Sequence, residues 1–300
     1  MEKIIDLHIH TSCSDGKLTP REVIDMAVNN NVSIISITDH DTILAYNDEL
    51  FDYAKKLGIR IIPGVEISTK NNKCGIHVLG YNIDIYDEEF KNNLDKLCNA
   101  RKIYLNEVVE VLRRLGYVVS LDRLEEIEVV TKAHIAEEVV SNKENYELLI
   151  RKFGHIPNKG EFIETIMNEG CPAYVKKYTI SPREAVELIE KAHGVAVLAH
   201  PVAYKYEDRL TEDDIIKLVN EMNVKAIETN YIYIDRNNNK INECSIWREF
   251  ALKNKLITTI GSDFHEDDGL RPMIGLLGED IEMSEIDLDK MIEYLSKKNN

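Results

Sequence analysis

The segment Ile4-Ile5-Asp6-Leu7-His8-Ile9-His10, residues 4–10, contains the pattern from which the fold can be inferred. Its nearly continuous, β-branched apolar run predicts a strand that is covered on both faces, as in the parallel sheets of α/β proteins. Side chains alternate between the two faces of a strand, so His8 and His10 point to the same side. We therefore predict a first strand over residues 4–9 that ends in a pair of imidazoles.

Six further runs of the same kind follow, and helical patterns separate many of them. Two of these helices begin at capping boxes, Thr19-Pro20-Arg21-Glu22 and Ser181-Pro182-Arg183-Glu184, and each box has Pro at the first helical position. Strands that alternate with helices predict an α/β fold, as a barrel or a strongly curved parallel sheet. The six runs cover residues 33–37, 60–66, 76–81, 195–199, 225–228 and 256–261.

The pattern changes between residues 88 and 178. Helical periodicity over residues 94–115 and 132–140 replaces the strand signals there. We interpret this stretch, residues 88–178, as an inserted helical subdomain that acts as a substrate lid. The barrel domain then consists of residues 1–87 and 179–300.

Composition and charge narrow the class of protein. The chain has 300 residues and a formal net charge of -16, which does not fit a clamp for long nucleic acids because such clamps present a basic face. We expect no membrane partner, since no apolar run reaches the length of a membrane span. We also expect no signal peptide, since the N-terminus passes directly into the strand-like segment Lys3-Ile4-Ile5-Asp6-Leu7. The five scattered cysteines form no C-x-x-C pair and are typical of reduced thiols in a cytoplasmic protein.

Imidazole and carboxylate side chains follow or end most of the predicted strands. In parallel α/β folds the functional side chains collect at the carboxyl ends of the strands, so we expect these residues to converge in one pocket. Each one alone has an ordinary interpretation; Asp15, for example, lies in an Asp-Gly turn sequence, and Asp263 could cap a helix. The set comprises His8, His10, Asp15, His40, Glu66, His77, His200, Asp263 and His265.

Nitrogen and oxygen ligands without thiolate favour Zn²⁺, Mn²⁺ or Fe²⁺. Nine candidate ligands exceed the four that one tetrahedral ion needs, so we predict two or three divalent ions. Three such ions would outweigh the charges of Glu66, Asp15 and Asp263 and would attract an anionic substrate to an acidic chain.

The order of these motifs resembles the polymerase and histidinol phosphatase (PHP) superfamily. The motifs are H-x-H (8–10), S-D-G (14–16), T-D-H-D (38–41), G-x-E-x-S (64–68), a further His (77), A-H-P (199–201) and G-S-D-x-H (261–265). The resemblance covers nearly the whole chain. It implies a distorted seven-stranded (β/α) barrel, and a helical insertion that occurs in members acting on nucleotide phosphates or short oligonucleotides.

The resemblance also implies how the ligands divide among the ions. His8, His10, Glu66 and Asp263 would hold one ion, and Glu66 would bridge to a second ion bound by His77 and His200. A third ion would be held by Asp15, His40 and His265. Asp15 occupies a place where other members carry His, so the third site could be weaker or prefer another metal.

Three residues of the helical insertion are candidates for substrate binding. The segment Thr131-Lys132-Ala133-His134-Ile135-Ala136 resembles a motif that usually reads Arg-Pro-His-Ile-Ala, which makes His134 a candidate. Here Lys132 and Ala133 stand where that motif usually has Arg and Pro. Arg101 and Lys176 could supply further phosphate contacts, although basic residues on helices are more often solvated.

We therefore expect a metal-dependent phosphoesterase that hydrolyses phosphate monoesters of nucleotides, such as nucleoside mono- or 3',5'-bisphosphates. A water molecule activated by the ions would attack phosphorus, and the general acid is not identifiable, with His265 one candidate. The partner would be a small phosphorylated substrate. Alternatives within the class are a 5'-3' exonuclease on short oligoribonucleotides and a histidinol-phosphatase-like enzyme. Alternatives outside it are an amidohydrolase and a metal-dependent binding module.

Overall fold

The computed structural model describes residues 4–71, 73–125, 127, 130–176, 178–235, 238–276 and 285–296, except the side chains of residues 101 and 285–287. Short strands and amphipathic helices alternate through most of this chain, as the sequence predicts. The strands are β1 (Ile4–Ile9), β2 (Val32–Ile37), β3 (Arg60–Ile61), β4 (Gly64–Lys70), β5 (Gly75–Tyr81), β6 (Val195–Leu198), β7 (Ala226–Asn230), β8 (Ile232–Ile234), β9 (Lys240–Asn242) and β10 (Ile257–Ile260).

Two of the helices begin at the capping boxes that the sequence predicts. The side chains of Thr19 and Ser181 each accept the backbone N–H of the glutamate three residues later, and their own backbone N–H groups donate to that glutamate's carboxylate, so both predicted capping boxes are confirmed. The helices are α1 (Pro20–Asn29), α2 (Asp48–Lys56), α3 (Glu88–Arg114), α4 (Leu121–Glu125), α5 (Lys132–Ser141), α6 (Tyr146–Phe153), α7 (Lys159–Phe162), α8 (Pro182–Lys191), α9 (Pro201–Glu207), α10 (Glu212–Met222), α11 (Cys244–Lys253) and α12 (Glu285–Leu295).

Two sheets hold the strands that carry the predicted motifs. One has the order β1-β2-β3 and is parallel, and the other has the order β10-β7-β6-β5-β4. Isolated parallel bridges join Ile9 to Phe264 and His40 to Glu66, and each of them connects segments of the two sheets. The fold is therefore α/β, with both parallel and antiparallel pairs. A small hairpin of β8 and β9 is an element that the sequence pattern did not indicate.

Strand β5 corrects the expectation of a parallel sheet. It runs antiparallel to both of its neighbours, β4 and β6. Only residues 71–74 lie between β4 and β5, and a parallel return needs a crossover of a dozen or more residues. The short connection thus forces a hairpin. Because β5 is reversed, its amino-terminal end, and not its carboxyl-terminal end, lies at the site.

The predicted third strand, residues 60–66, is two strands. Pro63 lies between β3 and β4, and proline has no N–H to donate to a ladder. Strand β4 also continues to Lys70, beyond the predicted end at residue 66, so Glu66 lies within β4 and not at the end of a strand.

The chain divides into two compact units, Met1–Asp95 with Thr179–Asn300, and Lys96–Tyr178. The first unit has a core of strand side chains, including Leu7, Leu79, Tyr81 and Val197, which are all fully buried. None of the helices in the described part of the chain combines the length and apolar character that a membrane crossing requires.

The second unit has its own apolar core. Val108 and Leu112 of α3 pack there with Ile135 of α5 and Phe162 of α7, and the rings of Tyr117 and Phe162 meet edge to face at 5.3 Å. The division falls inside the continuous helix α3, at Asp95, whereas the sequence pattern placed the boundary at residue 87.

Candidate metal centre

The candidate ligands come from six separate segments of the first unit. His8 and His10 lie at the end of β1, and Asp15 lies in the loop that follows. His40 comes after β2, and Glu66 lies within β4. The remaining candidates are His77 near the start of β5, His200 after β6, and Asp263 and His265 after β10.

The carboxylate of Glu66 lies at the centre of this cluster. The side chain is 1% exposed, and five imidazoles surround its two oxygens. A carboxylate therefore occupies the middle of the site. Oε2 lies 3.3 Å from His8 Nε2, 3.2 Å from His10 Nε2 and 3.1 Å from His40 Nδ1, while Oε1 lies 3.0 Å from both His77 Nδ1 and His200 Nε2.

Three groups of ligand atoms are close enough together to hold an ion, with all atoms in each group within 4.8 Å of one another. The first group consists of His8, His10, Glu66 and Asp263, the same four residues that the resemblance assigns to one ion. The others are His10, Asp15, His40 and His265, and His40, Glu66 and His77.

The grouping of His40 and His200 differs from the one that the resemblance implies. His40 contributes to two of the three groups, because its Nδ1 faces Glu66 while its Nε2 lies 3.7 Å from Asp15. His200 belongs to none of the three, although its Nε2 approaches the same Glu66 oxygen as His77.

The hydrogen-bonding state of the imidazoles fits a cation site. Four buried ring nitrogens, the Nδ1 atoms of His10, His40, His77 and His200, have no hydrogen-bond partner among the described residues. Two of them lie within 3.1 Å of Glu66 oxygens but at angles unsuited to a hydrogen bond. The Nε2 atoms of His8 and His10 face each other at 3.1 Å. Unpaired buried nitrogens are costly, and divalent cations bound between imidazole and carboxylate would satisfy them.

The pKa values show the same need for positive charge. Burial by itself lowers the pKa of His10, but Asp263 and Glu66 outweigh it and raise this pKa to about 10. Burial disfavours the ionised form of Glu66, yet His77, His40 and His8 hold its pKa well below the ordinary value. The pKa of Asp263 is lowered in the same way, against burial, by His8 and His265. The surrounding imidazoles thus favour the ionised form of these carboxylates, and metal ions in this cluster would supply further positive charge.

Two of the candidate ligands have unusual backbone conformations. His200 has φ 21° and Asp263 has φ 53°, in the left-handed region that non-glycine residues seldom adopt. Such conformations cost roughly 1–3 kcal/mol each and persist where the surrounding structure enforces them, often at functional sites. Here they turn both side chains toward the cluster.

Two buried aspartates support the loops that carry ligands. Asp39 accepts hydrogen bonds from Thr11 N, Thr11 Oγ1 and Ser14 Oγ at 2.7, 2.7 and 2.6 Å, and thereby holds the loop of Asp15. Asp6 accepts from the backbone of Ser262 and Gly275 at 3.0 and 2.9 Å, which holds the loop of Asp263. Burial raises the pKa of Asp6 to about 6 despite these bonds.

Two residues that contact the ligands were not found from the sequence. Glu228 is fully buried and lies 3.1 Å from His8 Nδ1, and Tyr231 donates its hydroxyl to Asp263 Oδ2 at 3.2 Å. Glu228 ends the apolar run Ala226-Ile227-Glu228. An acidic residue at the end of a predicted buried strand was the sequence signal that could have identified it as part of the site.

A cavity of about 400 Å³ opens beside the cluster, and its lining comes from the first unit. Tyr204, Tyr231 and Tyr233 give it an aromatic wall, and Arg271 adds a cationic side chain. A cavity of this size is at the lower end of the range for small-molecule sites.

The three residues predicted to bind substrate lie in the helical unit. His134 is an exposed residue of α5, where its Nδ1 accepts the N–H of Thr131 at 3.2 Å. Lys176 is exposed, and the side chain of Arg101 lies outside the described residues. Their role in binding stays a prediction.

The comparison with protein families matches residues 6–239 to the PHP domain. A 5'-3' exoribonuclease from Haemophilus influenzae is 32% identical over 206 residues, which is 68% of this chain and 71% of that protein. The 5'-3' exoribonuclease Rnm from Escherichia coli is 29% identical and is covered to 85%, with 88% of this chain aligned. A 3',5'-nucleoside bisphosphate phosphatase from Chromobacterium violaceum is 26% identical, with 87% of each chain covered.

Solved structures share the fold over almost the whole chain. A protein described as a metal-dependent phosphoesterase, from Bifidobacterium adolescentis, superposes with a TM-score of 0.65 at 19% identity, covering 98% of this chain and 97% of that one. An amidohydrolase from Chromobacterium violaceum superposes with a TM-score of 0.66 at 24% identity, covering 97% and 96%. At these identities the likeness shows the fold alone.

Proposed function

This chain belongs to the PHP family, and from that premise we propose that it is a metal-dependent hydrolase of phosphoester bonds, acting on phosphate monoesters of nucleotides. The observation that carries the proposal is the buried carboxylate of Glu66 among five imidazoles, with Asp263 and Asp15 at its edges. This donor set suits divalent cations such as Mn²⁺, Zn²⁺ or Fe²⁺.

We propose that the nine predicted ligands hold two or three ions. His8, His10, Glu66 and Asp263 would hold one, and His10, Asp15, His40 and His265 surround a second position. Glu66, with His77 and either His40 or His200, would hold another. When bound, the ions supply the electrophile that polarises a phosphoryl oxygen and acidifies the attacking water.

The residues of the chain would orient the reaction. Tyr231, through its hydroxyl on Asp263, would keep this carboxylate turned toward the cluster beside the cavity. His265 donates Nδ1–H to the backbone carbonyl of Asp263 at 2.8 Å, which leaves Nε2 directed to Asp15 at 3.4 Å. That orientation supports a ligand role for His265 more than that of a general acid.

We also propose that the two sheets belong to one distorted (β/α) barrel, which has seven strands when β3 and β4 are counted together as the predicted third strand. The bridges Ile9–Phe264 and His40–Glu66, which link segments of the two sheets, support this closure. A closed barrel would explain why side chains from six segments point to one place.

A second candidate function is 5'-3' exonucleolytic cleavage of short oligoribonucleotides. It is favoured by the names of the relatives with 32% and 29% identity, which exceed the 26% of the bisphosphate phosphatase. Both functions hydrolyse a phosphoester of a nucleotide, so the same metal centre would serve either one.

The test is to incubate the purified chain with adenosine 3',5'-bisphosphate, AMP and a short 3'-labelled RNA, adding Mn²⁺, Zn²⁺ or Fe²⁺ separately. Phosphate release from the nucleotides supports the first function, and stepwise release of mononucleotides from the RNA supports the second. The Asp263→Asn variant is the matched inactive control. If no substrate is hydrolysed with any of the three metals, the proposal is wrong.

A further inference from the structure

Glu228 makes close contacts with two of the candidate ligands at once. Its Oε1 and Oε2 lie 3.1 and 3.2 Å from His8 Nδ1, and its Oε2 also accepts the backbone N–H of His200 at 2.9 Å. The carboxylate is fully buried, and β7 brings it there from 220 positions away from His8.

The backbone at residue 261 leaves room for the contact between Glu228 and His8 only because this residue is glycine. A Cβ at Gly261 would collide with His8 Cβ and with Glu228 Oε1. Glycine at position 261 therefore allows the end of β10 to lie close to His8 of β1 and Glu228 of β7.

The other nitrogen of His8 points into the cluster. Nε2 lies 3.1 Å from His10 Nε2 and 3.3 Å from both Glu66 Oε2 and Asp263 Oδ1. An imidazole that binds a cation through Nε2 must carry its proton on Nδ1. A carboxylate at Nδ1 accepts that proton's hydrogen bond, and so selects the ring orientation and the tautomer that expose Nε2.

The second contact concerns a strained backbone. His200 has φ 21° and ψ 64°, and Pro201 starts α9 directly after it. The hydrogen bond from His200 N to Glu228 Oε2 helps to stabilise this conformation, which presents His200 Nε2 to Glu66.

We propose that Glu228 is a positioning residue that holds the His8 ring and the His200 backbone toward Glu66. Glu228 thus orients one candidate ligand at each oxygen of Glu66, His8 at Oε2 and His200 at Oε1. This inference rests on the proposed metal centre. Residues that orient metal-binding imidazoles in this way typically contribute 10–100-fold to metal affinity.

The test is a calorimetric titration of the metal-free chain with Mn²⁺, comparing the wild type with Glu228→Gln and Glu243→Gln. Glutamine keeps the shape of residue 228, but it offers one acceptor oxygen and turns an N–H₂ group toward one of the two donors. Glu243 is a matched control, since it is a largely buried carboxylate bonded to Lys205 and Tyr206 and outside the three ligand groups.

We expect Glu228→Gln to bind at least one Mn²⁺ about 10–100-fold more weakly than the wild type, and Glu243→Gln to bind as the wild type does. The absorption spectrum of the Co²⁺-loaded chain, which reports on ligand geometry, should change in Glu228→Gln alone. A folded Glu228→Gln variant with wild-type affinity and spectrum would overturn the inference, even if its melting temperature were lower.

Should Glu228→Gln fail to fold, Glu228→Asp decides by the same criterion, because it keeps the charge but withdraws the carboxylate from His8 by one methylene. If the wild type itself binds no metal, the proposed function fails. If the wild type and the folded variants bind metal equally, only the role of Glu228 fails.

Discussion

His200 and Glu66 lie 134 positions apart in the chain, and His200 Nε2 lies 3.0 Å from Glu66 Oε1. His77 Nδ1 approaches the same oxygen at the same distance, while three further imidazoles face Oε2. The carboxylate of Glu66 in β4 thus contacts candidate ligands from both earlier and later parts of the chain.

Replacing Glu66 by glutamine should therefore have the largest effect of any single substitution. The variant loses a charge shared by two candidate ion positions, so we expect it to bind at least one ion fewer. A loss of several kcal/mol of transition-state stabilisation lowers kcat/KM by roughly a thousandfold. Metal analysis and a phosphate-release assay check this, with Glu243→Gln as control. Retention of full metal content and activity would contradict the central role of Glu66.

Removal of metal should destabilise the folded chain. An ion that binds only the folded state adds about 2.7 kcal/mol to the free energy of unfolding when its free concentration is a hundred times its dissociation constant. For a chain of 300 residues that corresponds to a rise in melting temperature of roughly 4 °C per ion. Thermal unfolding after chelation, and again after addition of Mn²⁺, measures the difference. Equal melting temperatures for the chelated chain and the chain with added Mn²⁺ would argue against the proposed metal centre.

Replacing Tyr231 by phenylalanine removes the hydroxyl that donates to Asp263 Oδ2. A hydrogen bond to a charged group contributes about 1.5–3 kcal/mol, so we expect kcat/KM to fall by roughly 10–100-fold. Metal content should stay unchanged. Tyr206→Phe is a matched control, because that hydroxyl bonds Glu243 and not a candidate ligand. A similar loss in both variants would show that the effect of Tyr231 is not specific.

Replacing Asp39 by asparagine should weaken the ion position that contains Asp15. Asp39 accepts three hydrogen bonds from Thr11 and Ser14, and asparagine has one acceptor oxygen. A buried donor left unsatisfied costs about 1–3 kcal/mol. We expect the stoichiometry of bound Mn²⁺ to fall while the sites around Glu66 remain filled. Loss of every ion together would mean that the positions do not fill independently.

Replacing Phe162 by alanine should destabilise the helical unit. Phe162 is fully buried in the core of that unit, against Tyr117. Such truncations cost about 3–5 kcal/mol. Because the candidate ligands all lie in the other unit, metal content should be retained. The melting temperature of the helical unit should fall. Ile103→Ala, at a side chain that is 57% exposed, serves as control. Loss of metal in Phe162→Ala would show that the two units do not fold independently.

Much of the site could be predicted from local sequence. The alternation of His8 and His10, and the capping boxes at Thr19 and Ser181, depend on residues a few positions apart, and short-range rules suffice for them. The sequence also placed His40, Glu66, His200 and Asp263 beside or within apolar runs, which indicated convergence without any distance.

The tertiary structure alone decided the rest. It brought His40 against Glu66, whereas the reversal of β5, by which His77 reaches the cluster from the start of its strand, already follows from the short connection of residues 71–74. It also placed Glu228 behind His8 and Tyr231 beside Asp263. These contacts join segments far apart in the chain, where pairing depends on how the sheets and helices pack. A propensity or spacing rule depends only on neighbours in sequence, and so it identifies the candidate ligands but not Glu228, the carboxylate that contacts His8.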